Sequence, residues 1–276
     1  MKLPGIAWIR VCLRRLLWGI LKFCSRQVRD GDLRKPAILF SPHPDDETLG
    51  CGGTIIRKRN AGAKLKIVFM TDGSSSHRRF ISEPELKAIR TQEALSACGV
   101  LGVKKEDVIF LDFKDQQLKQ FEKEAGHRVA TILSEQACEE IFIPYARDNT
   151  PDHDATNAIV VAAVKALRKN AVIYEYPIWF WHHWPWTSFS FSRRRGILGQ
   201  LRASAFGWLG LIKNFRCSVP IREVLERKRL ALRQHESQMI RLLPNVQWPI
   251  LNDVSNGEFL QCFFQDSEVF RKREFF

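Results

Sequence analysis

Residues 37–55 read AILFSPHPDDETLGCGGTI, in which an apolar run leads into a histidine and three acids and then into a glycine-rich segment. The run Ala37–Phe40 predicts a buried strand, and the glycine-rich segment predicts the start of a helix. Carboxylates this close repel each other unless a cation lies among them. The cluster His43–Glu47 therefore indicates a metal ion at the end of the strand. A dinucleotide loop is disfavoured because GCGG lacks the G-x-G-x-x-G spacing and follows acids that would repel phosphate.

Outward from this stretch, short apolar runs alternate with longer amphipathic ones. The short runs are rich in β-branched and aromatic residues, as is typical of strands covered on both faces. They are Lys66–Met70, Val108–Phe113, Ile141–Pro144 and Ala171–Tyr176. The predicted helices between them are Glu85–Ala97, Gln120–Cys138 and His153–Arg168. The alternation predicts an α/β fold with a mostly parallel sheet and helices on both faces, in three layers.

In such a sheet the right-handed crossovers bring the carboxyl ends of the strands to one edge, where ligands bind. The segments His43–Glu47 and Thr71–Gly73, and those after Phe113 and Pro144, all follow predicted strands. We therefore expect these four segments to meet.

Three residues in these segments form a candidate metal-ligand set. His43 and Asp46 have an i,i+3 spacing, and His153 begins the helix after the strand that ends at Pro144. Two imidazoles, one carboxylate and an open position for water suit catalytic Zn²⁺, with Fe²⁺ as the alternative metal. Asp45 would then be the general base on the water, and Glu47 would orient a ligand or cap the helix. The competing interpretation is a structural His–Asp hydrogen bond.

Several motifs together resemble the PIG-L / LmbE-like N-acetylglucosaminyl deacetylases. They are FSPHPDDETLGCGGTI, FMTDG, IRTQEA, FKDQQL, DNTPDH, EYPIW and RLALRQHESQ, which extend from about Ala37 to Gln238. The resemblance implies a Rossmann-like fold and a zinc-dependent hydrolase that removes acetyl from an N-acetylated amino sugar. By position it assigns His43, Asp46 and His153 to the metal and Asp45 to the base.

The resemblance also implies two residues that bind substrate. Arg90 matches an arginine directed at substrate hydroxyls, and Asp115 matches a carboxylate on the substrate side. The alternatives are that Arg90 pairs with Glu93 on its own helix and that Asp115 caps a turn.

One position departs from the family pattern, because Thr150 stands where H-P-D-H has its first histidine. That histidine is commonly assigned to stabilising the oxyanion or the substrate, and a threonine cannot supply its charge. The candidates for a replacement are Tyr145, His182, His183 and His235. A missing oxyanion donor typically costs ~10²–10³ in rate.

After Tyr176 the composition changes, and we predict a tryptophan-rich cap over about residues 177–215. The cap stacks on sugar rings, lies at a membrane interface, or is an apolar lid over the sheet edge. Phe206–Ile212 is a second apolar stretch, and a basic helix over Val219–Leu243 and a short tail are expected to follow.

Residues 1–30 are predicted to contain a basic amphipathic helix, and residues 31–276 to form the deacetylase domain. Residues 5–24 are apolar but interrupted by Arg10, Arg14, Arg15 and Lys22, which argues against a signal-peptide core. The helix either lies on a membrane surface or packs on the core of the protein.

The chain has 43 Lys and Arg against 30 Asp and Glu, a net charge of +13, which favours polyanionic surroundings. Seven scattered cysteines without a C-x-x-C pair favour a reducing compartment. We expect a cytoplasmic protein without a membrane-spanning helix, peripheral at the inner face of the cell membrane if the first helix binds lipid. Two alternatives are an amidase of another small N-acyl amine and a basic membrane- or nucleic-acid-binding protein with a vestigial metal site, although no strong nucleic-acid motif is present.

Overall fold

The centre of the molecule is a sheet in which eight strands are described. The structure, a computed structural model, describes residues 4–188, 210–243 and 246–275, without the side chains of residues 4–7. The strands are β1 (Arg26–Gln27), β2 (Ala37–Ser41), β3 (Leu65–Thr71), β4 (Val108–Phe113), β5 (Glu140–Pro144), β6 (Ala171–Tyr176), β7 (Cys217–Pro220) and β8 (Ser267–Phe275).

The strand order is β1-β7-β8-β6-β5-β2-β3-β4. The five strands from β6 to β4 in this order are mutually parallel, and β8 is antiparallel to both of its neighbours. From β2 the chain first adds β3 and β4 on one side and then β5 and β6 on the other. The order thus reverses between β2 and β5, where Leu39 pairs with Phe142, and a crevice is expected outside the carboxyl ends of these two strands.

Helices connect the strands and cover the sheet. They are α1 (Pro4–Cys24), α2 (Asp30–Leu33), α3 (Asp46–Asn60), α4 (Glu83–Leu101), α5 (Glu122–Glu135), α6 (Pro151–Ala166), α7 (described for residues 210–214), α8 (Leu225–Arg233), α9 (Glu236–Met239) and α10 (Glu258–Gln261). Short 3₁₀ turns occupy Lys105–Asp107, Leu118–Phe121, Trp179–Trp181, Arg222–Val224 and Leu251–Gly257.

Two apolar cores lie on opposite faces of the sheet. One contains Leu49 and Ile55 of α3 and Leu101 of α4, and the other contains Val129 of α5 and Ile159 of α6. The predicted three-layer α/β fold with a mostly parallel sheet is therefore confirmed. The five predicted strands and the helices between them are present, with ends that differ by a few residues.

The prediction for the last third of the chain was wrong in two places. The basic helix predicted over Val219–Leu243 begins at Leu225, because Val219 is buried in β7 opposite Glu268. The expected tail instead ends in β8, which crosses between β7 and β6. Residues 267–270 of β8 are buried, and residues 271–275 are half-buried or exposed.

The amphipathic helix predicted at the N-terminus is α1, and it packs on the core through the buried Leu17 and Leu21. No helix in the described part of the chain is long and apolar enough to cross a membrane. Residues 189–209 of the predicted cap, and most of Phe206–Ile212, lie outside the described residues. The division at residue 30 and the cap boundaries remain predictions.

Candidate metal centre

The candidate site lies where the strand order reverses, at the carboxyl ends of β2 and β5. His43 is on the β2–α3 connection and Asp46 begins α3, whereas Asp148 is on the β5–α6 connection and Asp152 and His153 follow in α6. Pro151 is the first residue of α6, a position where its missing N–H costs nothing, so that Asp152 and His153 fall in the first helical turn. Two segments more than 100 residues apart thus face each other because β2 and β5 are paired.

The structure brings the three predicted ligands together. The Oδ2 atom of Asp46 lies 3.1 Å from Nδ1 of His43 and 3.1 Å from Nε2 of His153. One ligand atom from each residue falls within 4.8 Å of the other two. Asp46 and His153 are buried, whereas the His43 side chain is 20% exposed. This donor set, two imidazoles and one carboxylate open to a cavity, is one that holds zinc at catalytic sites.

Each imidazole has a carboxylate on its other nitrogen. Nδ1 of His153 lies 2.7 Å from Oδ2 of Asp148. Nε2 of His43 lies 3.2 Å from Oδ2 of Asp152 and 3.3 Å from Oδ1 of Asp115. Carboxylates in this position orient metal-binding histidines and strengthen them as ligands.

A second cluster consists of His43, Asp115 and Asp152, whose candidate ligand atoms also lie within 4.8 Å of one another. Both carboxylates of that cluster already accept backbone N–H groups: Asp152 from Gln116 (2.6 Å) and Leu118 (3.2 Å), and Asp115 from Ser75 (2.9 Å). A neutral imidazole offers one nitrogen to a metal and donates from the other. The His43–Asp46–His153 set therefore fits a metal better than the second cluster does. Asp115 and Asp152 act as hydrogen-bond acceptors for Nε2 of His43.

Two observations test the fit of a cation. Neither ring nitrogen of the buried His153 has a hydrogen bond of good geometry among the described residues, so Nε2 is free to be a ligand. Burial alone would lower the pKa of His153, but Asp46 and Asp148 outweigh it and raise the pKa to about 9. The site thus draws positive charge to this position, as is expected where carboxylates outnumber cations.

Asp45 lies beside this set in a strained backbone conformation, with a φ of 136°. Its N–H donates to Oε2 of Glu47 (2.9 Å), and Oε1 of Glu47 lies 3.0 Å from Nε2 of His235. Burial raises the pKa of Asp45 to about 7. The Arg90 guanidinium, whose Nη2 lies 3.3 Å from Oδ2 of Asp45, acts to lower that pKa. Sparsely populated backbone conformations and shifted pKa values are both concentrated at functional sites.

Arg90 and Asp115, the two residues implied to bind substrate, both line the cavity at the site. Arg90 donates to the carbonyl oxygens of Gly73 (3.0 Å) and Pro44, and thereby joins the β2–α3 and β3–α4 connections. The alternative pairing of Arg90 with Glu93 is wrong, because Glu93 accepts from Ser237 at 2.6 and 2.7 Å. Asp115 accepts the backbone N–H of Ser75 in a turn, as the alternative interpretation predicted. It also faces His43.

A cavity of about 270 Å³ opens above the candidate ligands. Its walls include Trp179 and Phe259, whose rings are stacked with centroids 4.9 Å apart. Thr150 also lines it, and its hydroxyl is buried without a hydrogen-bond partner among the described residues. The four candidates for replacing the missing histidine, which are Tyr145, His182, His183 and His235, are not among the lining residues.

The sequence analysis missed the carboxylates that support the imidazoles. Asp148 and Asp152 lie in the same RDNTPDHD segment from which His153 was selected. Asp148 also accepts the backbone N–H groups of residues 178–180 at 2.8–3.0 Å, which attaches the start of the cap to the site. His153 was selected because it follows a predicted strand that ends at Pro144, and the same reasoning applies to these two acids.

Fold and site together define an α/β protein with a candidate metal centre at the switch point of its sheet. Residues 38–164, just under half of the chain, match the sequence model of the family described as "PIG-L: GlcNAc-PI de-N-acetylase". The predicted family resemblance is therefore confirmed.

Curated relatives match the chain in sequence, and a solved structure shares its fold. The chain is 26% identical over 238 residues to a probable N-acetyl-alpha-D-glucosaminyl L-malate deacetylase 2 of Bacillus cereus, covering 83% of this chain and 96% of that protein. It is 29% identical over 136 residues to the diacetylchitobiose deacetylase of Thermococcus kodakarensis, which covers 47% of this chain and about half (49%) of that relative. The N,N'-diacetylchitobiose deacetylase structure from Pyrococcus horikoshii has the same fold, with a TM-score of 0.62 and 22% identity over 95% of this chain and 91% of that one.

Proposed function

We propose that this protein is a zinc-dependent N-deacetylase that removes the acetyl group from an N-acetylated amino sugar of the N-acetylglucosamine type. The observation that carries the proposal is the convergence of His43, Asp46 and His153 on one candidate ligand set, beside a cavity that His43, Asp45 and Asp46 line. The printed names of the relatives, which are deacetylases of N-acetylglucosamine compounds, support the substrate class.

His43 Nδ1, Asp46 Oδ2 and His153 Nε2 would hold the zinc ion. The bound ion would supply a water of lowered pKa and a positive charge against the oxyanion that forms at the acetyl carbonyl. Asp148 and Asp152 keep the two imidazoles in the orientation that presents those nitrogens.

Asp45 is the proposed general base and acid. With a pKa of about 7, its carboxyl group can take a proton from water and return it to the nitrogen of the departing amine at neutral pH. Arg90 sets the position of the Asp45 carboxylate and of the Pro44 carbonyl, so its first role is to hold this loop.

The cavity walls supply recognition of the sugar. The stacked pair Trp179 and Phe259 offers an apolar surface to a sugar ring, and Asp115 and Gln116 offer polar groups to its hydroxyls. The Thr150 hydroxyl is a neutral donor at the position where the family pattern has a histidine. It would stabilise an oxyanion less than a charged imidazole does.

The proposal is tested by metal content and acetate release on the purified chain. We expect bound zinc, acetate release from N-acetylglucosamine compounds, and loss of that activity with a chelator. Asp45→Asn is expected to keep the zinc and lose ~10²–10⁴ in kcat, because general acid–base catalysis contributes that much. His153→Ala is expected to lose the zinc itself.

Asp154→Asn is the matched control, because it removes an exposed carboxylate next to His153 and should leave both readouts unchanged. The substrates to be compared in the acetate-release assay are free, nucleotide-linked and lipid-linked N-acetylated amino sugars and small N-acetyl amines. Zinc-loaded protein that releases no acetate from any amino sugar would refute the proposal. Full activity of Asp45→Asn would refute the assignment of the base.

A further inference from the structure

The helix α1 is oriented against the usual pattern of a surface helix, because its cations face the protein. Arg10 forms an ion pair with Glu258 (NH1 to Oε2, 3.0 Å), and Lys22 forms one with Asp266 (2.6 Å). Arg14 donates to Oε1 of Gln261 (3.1 Å) and to the carbonyl oxygen of Trp186 (3.3 Å). Three of the four cations of α1 are thus engaged in holding the helix in place.

The opposite face of α1 presents apolar side chains to solvent. Phe23 is 91% exposed, Trp8 71%, Leu16 59% and Ile9 58%, and Cys12 is also exposed. At 3.6 residues per turn, the five positions fall within roughly 100° of one side of the helix. We call these five residues the outer stripe. Contiguous exposed apolar surface of this kind marks an interaction site.

A basic crevice adjoins the end of the outer stripe. Its volume is about 380 Å³, and its lining includes Arg26, Arg29, Arg216 and Lys272. Arg26 follows Phe23 by three residues, and its N–H donates to the carbonyl oxygen of Arg216 (2.8 Å).

The charges of this crevice are largely uncompensated. Its one lining acid, Asp32, pairs with Lys35 (2.6 Å), and Lys272 pairs with Glu274 (2.6 Å). In the described part of the chain, the guanidinium groups of Arg26, Arg29 and Arg216 form no ion pair. Three exposed guanidinium groups beside an apolar stripe are complementary to phosphate groups above acyl chains.

We propose that this face docks on the surface of an anionic lipid bilayer. The outer stripe lies at the boundary between headgroups and acyl chains, and Arg26, Arg29 and Arg216 bind lipid phosphates. A nucleic acid would satisfy the guanidinium groups but leaves the outer stripe in water, and a second copy of this strongly basic chain would bring like charges together. The docking does not depend on the proposed deacetylase activity.

The test is flotation of the full-length chain with vesicles of phosphatidylcholine alone and of phosphatidylcholine with phosphatidylglycerol, without any substrate. We expect at least tenfold stronger binding to the anionic vesicles at about 0.1 M salt, weakening as salt is raised. Leu16→Ser/Phe23→Ser and Arg26→Gln/Arg216→Gln should each weaken binding at least tenfold with an unchanged Tm. All four side chains are exposed, so neither variant should impair folding.

The matched controls are Phe121→Ser/Leu167→Ser and Lys119→Gln/Lys123→Gln, which change exposed residues elsewhere on the surface and should bind vesicles as the wild type does. Wild-type protein that ignores anionic vesicles would overturn the proposal, as would an α1 variant that binds unchanged. A dimer of the wild type that dissociates in Leu16→Ser/Phe23→Ser would assign the stripe to a second copy instead. Duplex DNA bound more tightly than the vesicles would assign the crevice to nucleic acid.

Discussion

Gly50 and Gly53 show why the glycine-rich segment after the acids is glycine-rich. A Cβ atom on Gly50 would overlap the ring of Tyr176, and one on Gly53 would overlap Ile221. The N–H of Gly53 also donates to Oε1 of Glu268 (2.8 Å). The absence of side chains allows the first turns of α3 to approach β6 and the segment after β7, which holds Asp45 and Asp46 in place.

The replacement Gly53→Ala is therefore expected to destabilise the protein, although alanine is the better helix former. Forcing a methyl group into a filled space typically costs ~1–3 kcal/mol. Gly126→Ala in α5 is the matched control, because nothing lies within 4 Å of its Cβ position. The control should be stabilised by ~0.5–1 kcal/mol. Free energies of unfolding, measured by denaturant titration, test this prediction. Equal effects of Gly53→Ala and Gly126→Ala would contradict it.

Among the elements, the β5–α6 connection contributes most to the site. It contains Asp148, whose carboxylate accepts three N–H groups from residues 178–180, and it leads directly into Asp152 and His153 in the first turn of α6. One buried carboxylate thus positions a candidate ligand and the start of the cap at the same time. Trp179, which lines the cavity, is held at 3.0 Å from Asp148 by its backbone N–H.

We predict that Asp148→Asn lowers metal affinity ~10–100-fold, the usual cost of losing a partner of a metal-binding histidine. The amide has one acceptor oxygen where the carboxylate has two, so the segment 178–180 should also loosen. Competition with a chelator measures the affinity, and hydrogen exchange of residues 178–180 measures the loop. Glu135→Gln, which removes an exposed carboxylate at the end of α5, should change neither. An unchanged affinity in Asp148→Asn would show that Asp148 does not support the metal site.

At the scale of the whole molecule, a buried ion pair joins the C-terminal part of the chain to α3. Lys228 of α8 pairs with Glu268 of β8 (2.7 Å) and donates to the carbonyl oxygen of Leu49 in α3 (2.8 Å). Glu268 also accepts the backbone N–H of Thr54 (2.7 Å). Three elements from distant parts of the sequence thus meet at one pair behind the candidate site.

Lys228→Met is expected to destabilise the fold by ~3–5 kcal/mol, because it leaves the Glu268 carboxylate buried without its cation. Lys272→Met removes a lysine from the exposed pair with Glu274, and it should cost under ~1 kcal/mol. The double variant Lys228→Met/Glu268→Gln should lose less than the sum of its single changes. Denaturant midpoints test all three expectations, and additive losses would show that the two side chains do not interact.

The central strands were predictable because each buries both faces and is therefore largely apolar, as are Ala37–Ser41 and Glu140–Pro144, in which every residue is buried. Strands β7 and β8 were missed because their stability comes from pairing with each other and with β6, which no local pattern shows. For the same reason Val219 was assigned to a helix, since its distant partner Glu268 cannot be read from its neighbours. His235 was considered for the cavity, yet the fold buries it against Glu47.

Local chemistry was enough to establish the α/β class, the resemblance to the PIG-L family, and the three residues that the fold brings together as a candidate metal centre. It sufficed because strand periodicity and the run of acids in SPHPDDE depend on near neighbours in the chain. The carboxylates behind each imidazole, the outward face of α1 and the buried Lys228–Glu268 pair emerged only in the folded chain. Each of them depends on which side chains are buried and on how far apart they lie in space, and only tertiary packing sets both.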